Sequence, residues 1–138
     1  MAARDLFHQA VVSALQKEGW VITHDPLAVP IGGIDLYIDL GAERLLAAER
    51  EGQRIAVEIK CFISASLVSA FHTALGQYLN YRLALEENEQ QRELYLAIPH
   101  DAYKQFFLLP FTQLALERHQ VNLLVFHPER EEVILWKN

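Results

Sequence analysis

The chain has 138 residues, 51% of them hydrophobic, and a formal net charge of −6. This size and composition predict one globular domain over residues 1–138 and exclude a disordered chain. The acidic balance argues against the broad basic surface on which nonspecific nucleic-acid binding rests, although a metal held by carboxylates would neutralise part of that charge.

The first part of the chain predicts one helix followed by extended segments. Apolar residues recur at helical spacing over residues 3–18, and Gly19 ends the helix. Residues 19–23 predict a short strand. Residues 24–33 contain two prolines and a glycine pair and predict a loop. Residues 35–40 alternate acidic and apolar side chains and predict a further extended segment.

The most hydrophobic part of the chain predicts an antiparallel hairpin. Its strands are residues 45–50 and 54–60, and its turn is the segment 51–53 around a glycine. With the turn centred on that glycine, Glu58 lies roughly opposite Ala47. The side chains of these two residues are then expected on the same face of the sheet.

The second part of the chain alternates helices with apolar strands. Residues 66–87 keep a helical period for about 20 residues. After them we expect a buried strand, two helices broken at Pro110, a second buried strand and a closing strand, at 93–99, 101–108, 110–118, 122–126 and 132–136. The order α-β-β-β-α-β-α-β-β predicts a mixed sheet flanked by helices, an α/β (α+β) fold.

Neither disulfides nor membrane insertion is expected. The single cysteine, Cys61, excludes an internal disulfide and agrees with a reducing compartment. The first residues lack the apolar core of a signal sequence, and no apolar run approaches the about 20 residues that a membrane span needs. The sequence therefore predicts a cytoplasmic protein that does not enter the membrane.

Glu58 and Lys60 carry the chemistry of the predicted hairpin. Residues two apart on a strand share a face, so this carboxylate and ammonium lie side by side while Val57 and Ile59 face the other way. Taken alone, the E-x-K pattern is more often a salt bridge on a half-exposed strand. With a second carboxylate nearby, it would form half of a divalent-metal nuclease site, because Mg²⁺ takes hard oxygen ligands.

Two acidic residues are candidates for that second carboxylate. Asp39 lies 19 residues before Glu58, and Glu49 lies nine residues before it, on the face shared with Ala47. The candidate metal ligands are therefore Asp39, Glu58 and Glu49, with Asp39 ranked ahead of Glu49. Lys60 would then orient or activate the attacking water.

The second helix makes the pattern more specific. Gln77 and Tyr81 are four residues apart and share one helix face. A hairpin that ends in E-x-K, followed by a helix with Q-x-x-x-Y, resembles the PD-(D/E)XK nucleases and their RecB-like branch. The resemblance implies a restriction-endonuclease-like mixed sheet with an antiparallel hairpin and helices on both faces. It also implies that Gln77 and Tyr81 brace a catalytic site formed by Asp39, Glu58 and Lys60.

Longer segments resemble the XisH family over essentially the whole chain. They are the opening residues 5–8, LYIDLGAE at 36–43, AAE at 47–49, IAVEIK at 55–60, ALGQY at 74–78 and RELYLA at 92–97. That family is named for excision-controlling factors of DNA elements that cyanobacteria remove during heterocyst differentiation. The resemblance implies a role in DNA recombination beside a site-specific recombinase, usually with a small XisI-like companion protein.

Two positions depart from the nuclease pattern. The window 44–48, where such nucleases carry their first acidic residue, contains no acidic residue here, so Asp39 or Glu49 must take its place. His8 lies 11 residues before Gly19, where many relatives of that fold have a glutamate, and it is a candidate accessory residue.

Two functions remain open at the level of sequence. One is a Mg²⁺- or Mn²⁺-dependent DNA endonuclease, for which the resemblance also suggests a homodimer with paired sites. The other is a non-catalytic accessory protein that regulates the recombinase through protein partners, and the acidic charge favours it.

Overall fold

The computed structural model describes residues 3–36, 45–63, 65–88 and 91–138. The helices are α1 (Ala3–Lys17), α2 (Leu67–Glu87), α3 (His100–Ala102), which continues as a π-helical turn over Tyr103–Phe107, and α4 (Pro110–Arg118). The strands are β1 (Val21–His24), β2 (Val29–Ile31), β3 (Ile34–Leu36), β4 (Leu45–Arg50), β5 (Gln53–Ile59), β6 (Glu93–Pro99), β7 (Leu123–His127) and β8 (Glu132–Lys137). Within these ranges no helix is both long and apolar enough to span a bilayer.

Six strands form one mixed sheet in the order β1-β4-β5-β6-β7-β8. The central strands β5, β6 and β7 are parallel neighbours, and the outer pairs are antiparallel. Parallel neighbours need a crossover connection, which α2 provides between β5 and β6, while α3 and α4 provide it between β6 and β7. The predicted mixed α/β fold is confirmed.

The alternation of side chains divides the core into two layers. One layer contains Leu45, Ala47 and Ala56 of the hairpin together with the buried face of α2. The other layer contains the intervening strand residues, such as Val57 and Ile59, together with α1. The helices α1 and α2 therefore cover opposite faces of the sheet.

The N-terminus of α2 is fixed by a side-chain cap. The hydroxyl oxygen of Ser66 accepts a hydrogen bond from the backbone N–H of Ser69 at 3.2 Å. Serine is favoured at this position because it satisfies one of the N–H groups that the first helical turn leaves without a partner. The cap lies six residues after Lys60 and sets where α2 begins over the sheet.

The predicted loop over residues 24–33 is partly wrong. Strands β2 and β3 pair antiparallel in a separate two-stranded sheet, with Gly32 and Gly33 as the connecting turn. Both glycines have positive φ, 55° and 91°, which a two-residue hairpin turn requires. Pro30 obscured the strand in the sequence, although proline is tolerated in such small edge sheets. The predicted segment 35–40 lies outside the described residues from position 37 onward.

The predicted register of the β4–β5 hairpin is wrong by two residues. The turn contains only Glu51 and Gly52, with φ of 51° and 81°, and the flanking residues pair directly. Glu58 consequently lies opposite Leu45, while Ala47 lies opposite Ala56. A shift of two leaves every side chain on its predicted face but moves its cross-strand neighbour.

The same substitution at two glycines is expected to have opposite effects. Gly52→Ala should lower the free energy of unfolding by about 1 kcal/mol, because its φ of 81° disfavours a side chain although no atom lies within 4 Å of a Cβ there. Gly76→Ala should raise that free energy by about 0.5 to 1 kcal/mol, since Gly76 is helical and equally uncrowded. Urea unfolding of both variants measures the two changes in the free energy of unfolding. Changes of the same sign would contradict the explanation from backbone conformation.

Candidate functional site

Glu58 is a buried carboxylate in the middle of the sheet. It lies on β5, between Leu45 of β4 and Leu96 of β6, and its side chain is 0% exposed. The face of β5 on which it lies is the one covered by α2. Burying a carboxylate is costly unless polar or charged groups compensate it, so its neighbours define the site.

Lys60 provides the opposite charge. Its Nζ atom lies 3.6 Å from Oε2 of Glu58, and its side chain is 8% exposed. Its backbone N–H donates to the carbonyl oxygen of Ala97 at 3.0 Å, which holds Lys60 beside β6 just after β5 ends. The prediction that Glu58 and Lys60 share a face is therefore confirmed, but the pair is buried, unlike a surface salt bridge.

Helix α2 adds an amide to this pair. Nζ of Lys60 donates a hydrogen bond to Oε1 of Gln77, in the middle of α2. Tyr81 follows one helical turn later and is 6% exposed, within the core layer under α2. The sequence placed Gln77 and Tyr81 on one face behind the pair, and the structure brings Gln77 into direct contact with Lys60.

Tyr78 borders the same site, and sequence reasoning assigned it only to the core. Its hydroxyl donates to the carbonyl oxygen of Leu94 at 2.9 Å and accepts from the backbone N–H of Asn122 at 3.1 Å. Burial raises the pKa of Tyr78, and the negative charge of Glu58 raises it further, while Asn122 and Arg82 act in the opposite direction. Tyr78 thus ties α2 to β6 and to the residue before β7, on the face of the sheet that contains Glu58.

Glu49 does not reach this centre. It pairs with Arg54 near the turn, where its carboxylate accepts a hydrogen bond from Nε of Arg54 at 3.2 Å. Both side chains are nearly half exposed. Glu49 lies four residues along β4 from the partner of Glu58, a distance of roughly 13 Å at the rise of a strand. The expected proximity of Glu49 to Glu58 was wrong because Glu58 pairs with Leu45 and not with Ala47.

A sequence model of the XisH family, described as "XisH protein", matches residues 1–134. The chain belongs to the XisH family. No curated protein matches it.

Two crystal structures resemble this XisH-family chain over nearly its full length. One is an XisH family protein from Nostoc punctiforme PCC 73102, with 47% identity and a TM-score of 0.89, covering 97% of this chain and 100% of that one. The other is a fdxN element excision controlling factor protein from Anabaena variabilis, with 48% identity and a TM-score of 0.89, covering 98% of this chain and 100% of that one. The sheet and helices described above are therefore those of XisH-family proteins.

The candidate metal-ligating side chains of this XisH-family chain fit a divalent metal ion only in part. Glu58 is a hard oxygen ligand of the kind that Mg²⁺ prefers. In the described ranges no group of three His, Cys, Asp or Glu side chains is placed to hold a metal ion. The first-ranked second ligand, Asp39, lies outside the described residues, so its role stays a prediction.

His8 lies on α1, on the other side of the sheet from α2. Its Nε2 atom is 2.8 Å from Oδ2 of Asp25, in the segment after β1. The neighbouring Phe7 packs edge-on against Phe126, in the layer that α1 covers. This places His8 with Asp25, a partner 17 residues away that helical or strand periodicity could not have indicated.

Proposed function

We propose that this XisH-family chain is a DNA-element excision-controlling factor that cleaves DNA in a Mg²⁺-dependent reaction centred on Glu58 and Lys60. The buried Glu58–Lys60 pair, held to α2 through Gln77, carries the proposal. The Anabaena variabilis relative is named as an excision controlling factor, and this supports the biological role. The likeness of the E-x-K hairpin and Q-x-x-x-Y helix to PD-(D/E)XK nucleases supports the chemistry.

Energetics favour a functional reason for this pair. Removing two charges from water costs several kcal/mol per ion, and apolar side chains of similar volume are often as stabilising or more so. All the strand residues around Glu58, from Ile55 to Ile59, are buried and otherwise apolar. Packing alone therefore gives no reason for a carboxylate and an ammonium at this point of the sheet.

Each residue has a distinct proposed role. Glu58 is a metal ligand, and Asp39 is proposed as the second. A bound Mg²⁺ would polarise the phosphodiester and lower the pKa of a bound water. Lys60 would orient the attacking water or bind the charged phosphate, and Gln77 positions its ammonium through the hydrogen bond to Oε1. Tyr81, one helical turn after Gln77, is buried in the core layer under α2 and would brace this part of the helix.

Cleavage of supercoiled plasmid tests the proposal. The wild-type chain with Mg²⁺ or Mn²⁺ should nick or linearise the plasmid, and Glu58→Gln should lower that rate by about 100-fold or more. Asp39→Asn should behave like Glu58→Gln if Asp39 is the second ligand. The matched control is Glu132→Gln, the same chemical change at an exposed residue of β8, which should leave cleavage unchanged. Absence of metal-dependent cleavage, or equal rates for wild type and Glu58→Gln, would reject the catalytic role.

A second candidate function is a non-catalytic accessory protein that regulates a site-specific recombinase. The net charge of −6 favours it, since DNA binding usually needs a basic surface, and so does Lys60, which already neutralises Glu58. Excision assays with the recombinase separate the two candidates. A Glu58→Gln variant that controls excision fully would support the accessory role. Co-purification with an XisI-like companion is expected in that case, and failure to form any stable complex would count against it.

A further inference from the structure

Exposed apolar side chains lie on α4, on the turn before it, at the start of α2 and in the segment that precedes α2. Six side chains form a surface there, which we call the α4 apolar surface: Ile63, Val68, Leu108, Leu109, Phe111 and Leu114. They are between 47% and 69% exposed, and they account for six of the nine large hydrophobic residues exposed in the described parts of the chain. Exposed apolar side chains scattered singly need no explanation, but a cluster does.

An aromatic cluster beneath the surface joins its parts. The ring of Phe71, on α2, lies 6.2 Å from the ring of Phe111 and 5.8 Å from that of Phe107. Val68 precedes Phe71 by one turn of α2. The ring of Phe62, next to Ile63, lies 5.1 Å from that of Phe107. The segments that carry Ile63, Val68 and Phe111 are therefore joined by one aromatic cluster.

The α4 apolar surface is also the least charged part of an acidic protein. The chain has 18 acidic and 12 basic residues. None of them falls within residues 61–81, and Lys104 is the only one within residues 102–116. This surface therefore offers neither the basic side chains that DNA requires nor a pattern of charges for an ionic partner. Two copies with a charge of −6 that met through these segments would bring few charged side chains together.

The area of the surface suits a dimer. An aromatic side chain carries about 150 to 250 Å², so the exposed half of Phe111 is on the order of 100 Å². Six half-exposed side chains give roughly 500 Å², in the upper range of patches on monomers. Two copies placed face to face would bury about 1,000 Å², the size at which a specific interface begins.

We propose that the α4 apolar surface binds a second copy of this chain, as a two-fold symmetric homodimer with Phe111 near the axis. A two-fold dimer places the same patch on both sides, so one apolar surface is sufficient. A dimer with an interface of this size and little charge is expected to have a dissociation constant in the micromolar range.

The oligomeric state of the full chain tests this proposal. Light scattering after gel filtration at about 50 µM should give roughly twice the chain mass of 15.8 kDa. Phe111→Lys and Leu114→Lys should each raise the dimer dissociation constant by about 100-fold, because each buries a charge in an apolar interface. The matched control is Leu83→Lys, which changes a leucine on α2 that is 50% exposed, outside the surface, and should leave the dimer intact.

The salt dependence of the wild-type chain provides a test that needs no variant. Added NaCl should strengthen the dimer, because it screens the repulsion between two acidic copies and leaves apolar contacts in place. A monomer at every concentration would overturn the proposal. So would a dimer that salt dissociates, or one that tolerates Leu114→Lys and fails with Leu83→Lys.

Discussion

Lys60→Met is expected to lower the free energy of unfolding by about 3 to 5 kcal/mol, because the carboxylate of Glu58 would remain buried without its lysine. Glu58 is 0% exposed, and Nζ of Lys60 lies 3.6 Å from it. Methionine keeps most of the length of the lysine side chain, so the packing changes little while the charge is lost. Urea unfolding at neutral pH measures the loss.

Two controls show whether burial of the charge is the cause. The double variant Glu58→Leu with Lys60→Met removes both charges and should recover most of the lost stability. Arg54→Met breaks the ion pair with Glu49 on the same hairpin, where the side chains are 45% and 44% exposed, and should cost less than about 1 kcal/mol. A double variant as unstable as Lys60→Met, or an equal cost for Arg54→Met, would contradict this explanation.

Recovery of stability in the double variant would also bear on function. If an apolar pair folds as well as Glu58 and Lys60, the charges are not needed for the fold. Loss of plasmid cleavage in a variant that is still folded could then be assigned to chemistry. The comparison of Lys60→Met with the double variant therefore separates the structural from the catalytic contribution of the same residues.

The sequence predicted the parts of the fold that depend on local periodicity. Strands β5 and β6 are mostly apolar, and α2 keeps a helical period for 21 residues, so their positions were predicted to within about one residue. The common face of Glu58 and Lys60 follows from the two-residue repeat of a strand alone. Contact between Gln77 and Lys60 required tertiary placement, which only the family resemblance had suggested.

The errors arose where backbone geometry decides the structure. Glu51 adopts a positive φ of 51°, which shortens the turn to two residues and moves Glu49 away from Glu58. The β2–β3 pair depends on Gly32 and Gly33, which the sequence could equally place in a loop. The predicted helix over residues 101–108 contains a π-helical turn at Tyr103–Phe107, and a 3.6-residue pattern in the sequence does not distinguish such a turn from an α-helix.

Phe71→Ala is expected to lower the free energy of unfolding by about 3 to 5 kcal/mol, because it leaves a cavity at the centre of the aromatic cluster. The side chain is 1% exposed, and its ring lies between 5.5 and 6.2 Å from those of Phe106, Phe107 and Phe111. Denaturant unfolding at a protein concentration well below the expected dimer dissociation constant measures the loss without a contribution from association.

Phe111→Ala is the matched control, since it deletes the same atoms from a side chain that is 54% exposed. In dilute protein it should cost less than about 1 kcal/mol, because most of the ring already faces water. At high protein concentration Phe111→Ala should cost more stability than in dilute protein. It removes the centre of the proposed dimer interface and so loses the stability that association adds. Phe111→Ala would therefore change the stability of the monomer little and destabilise the dimer, whereas Phe71→Ala would destabilise both. Equal effects of Phe111→Ala at low and high concentration would contradict a dimer through the α4 apolar surface.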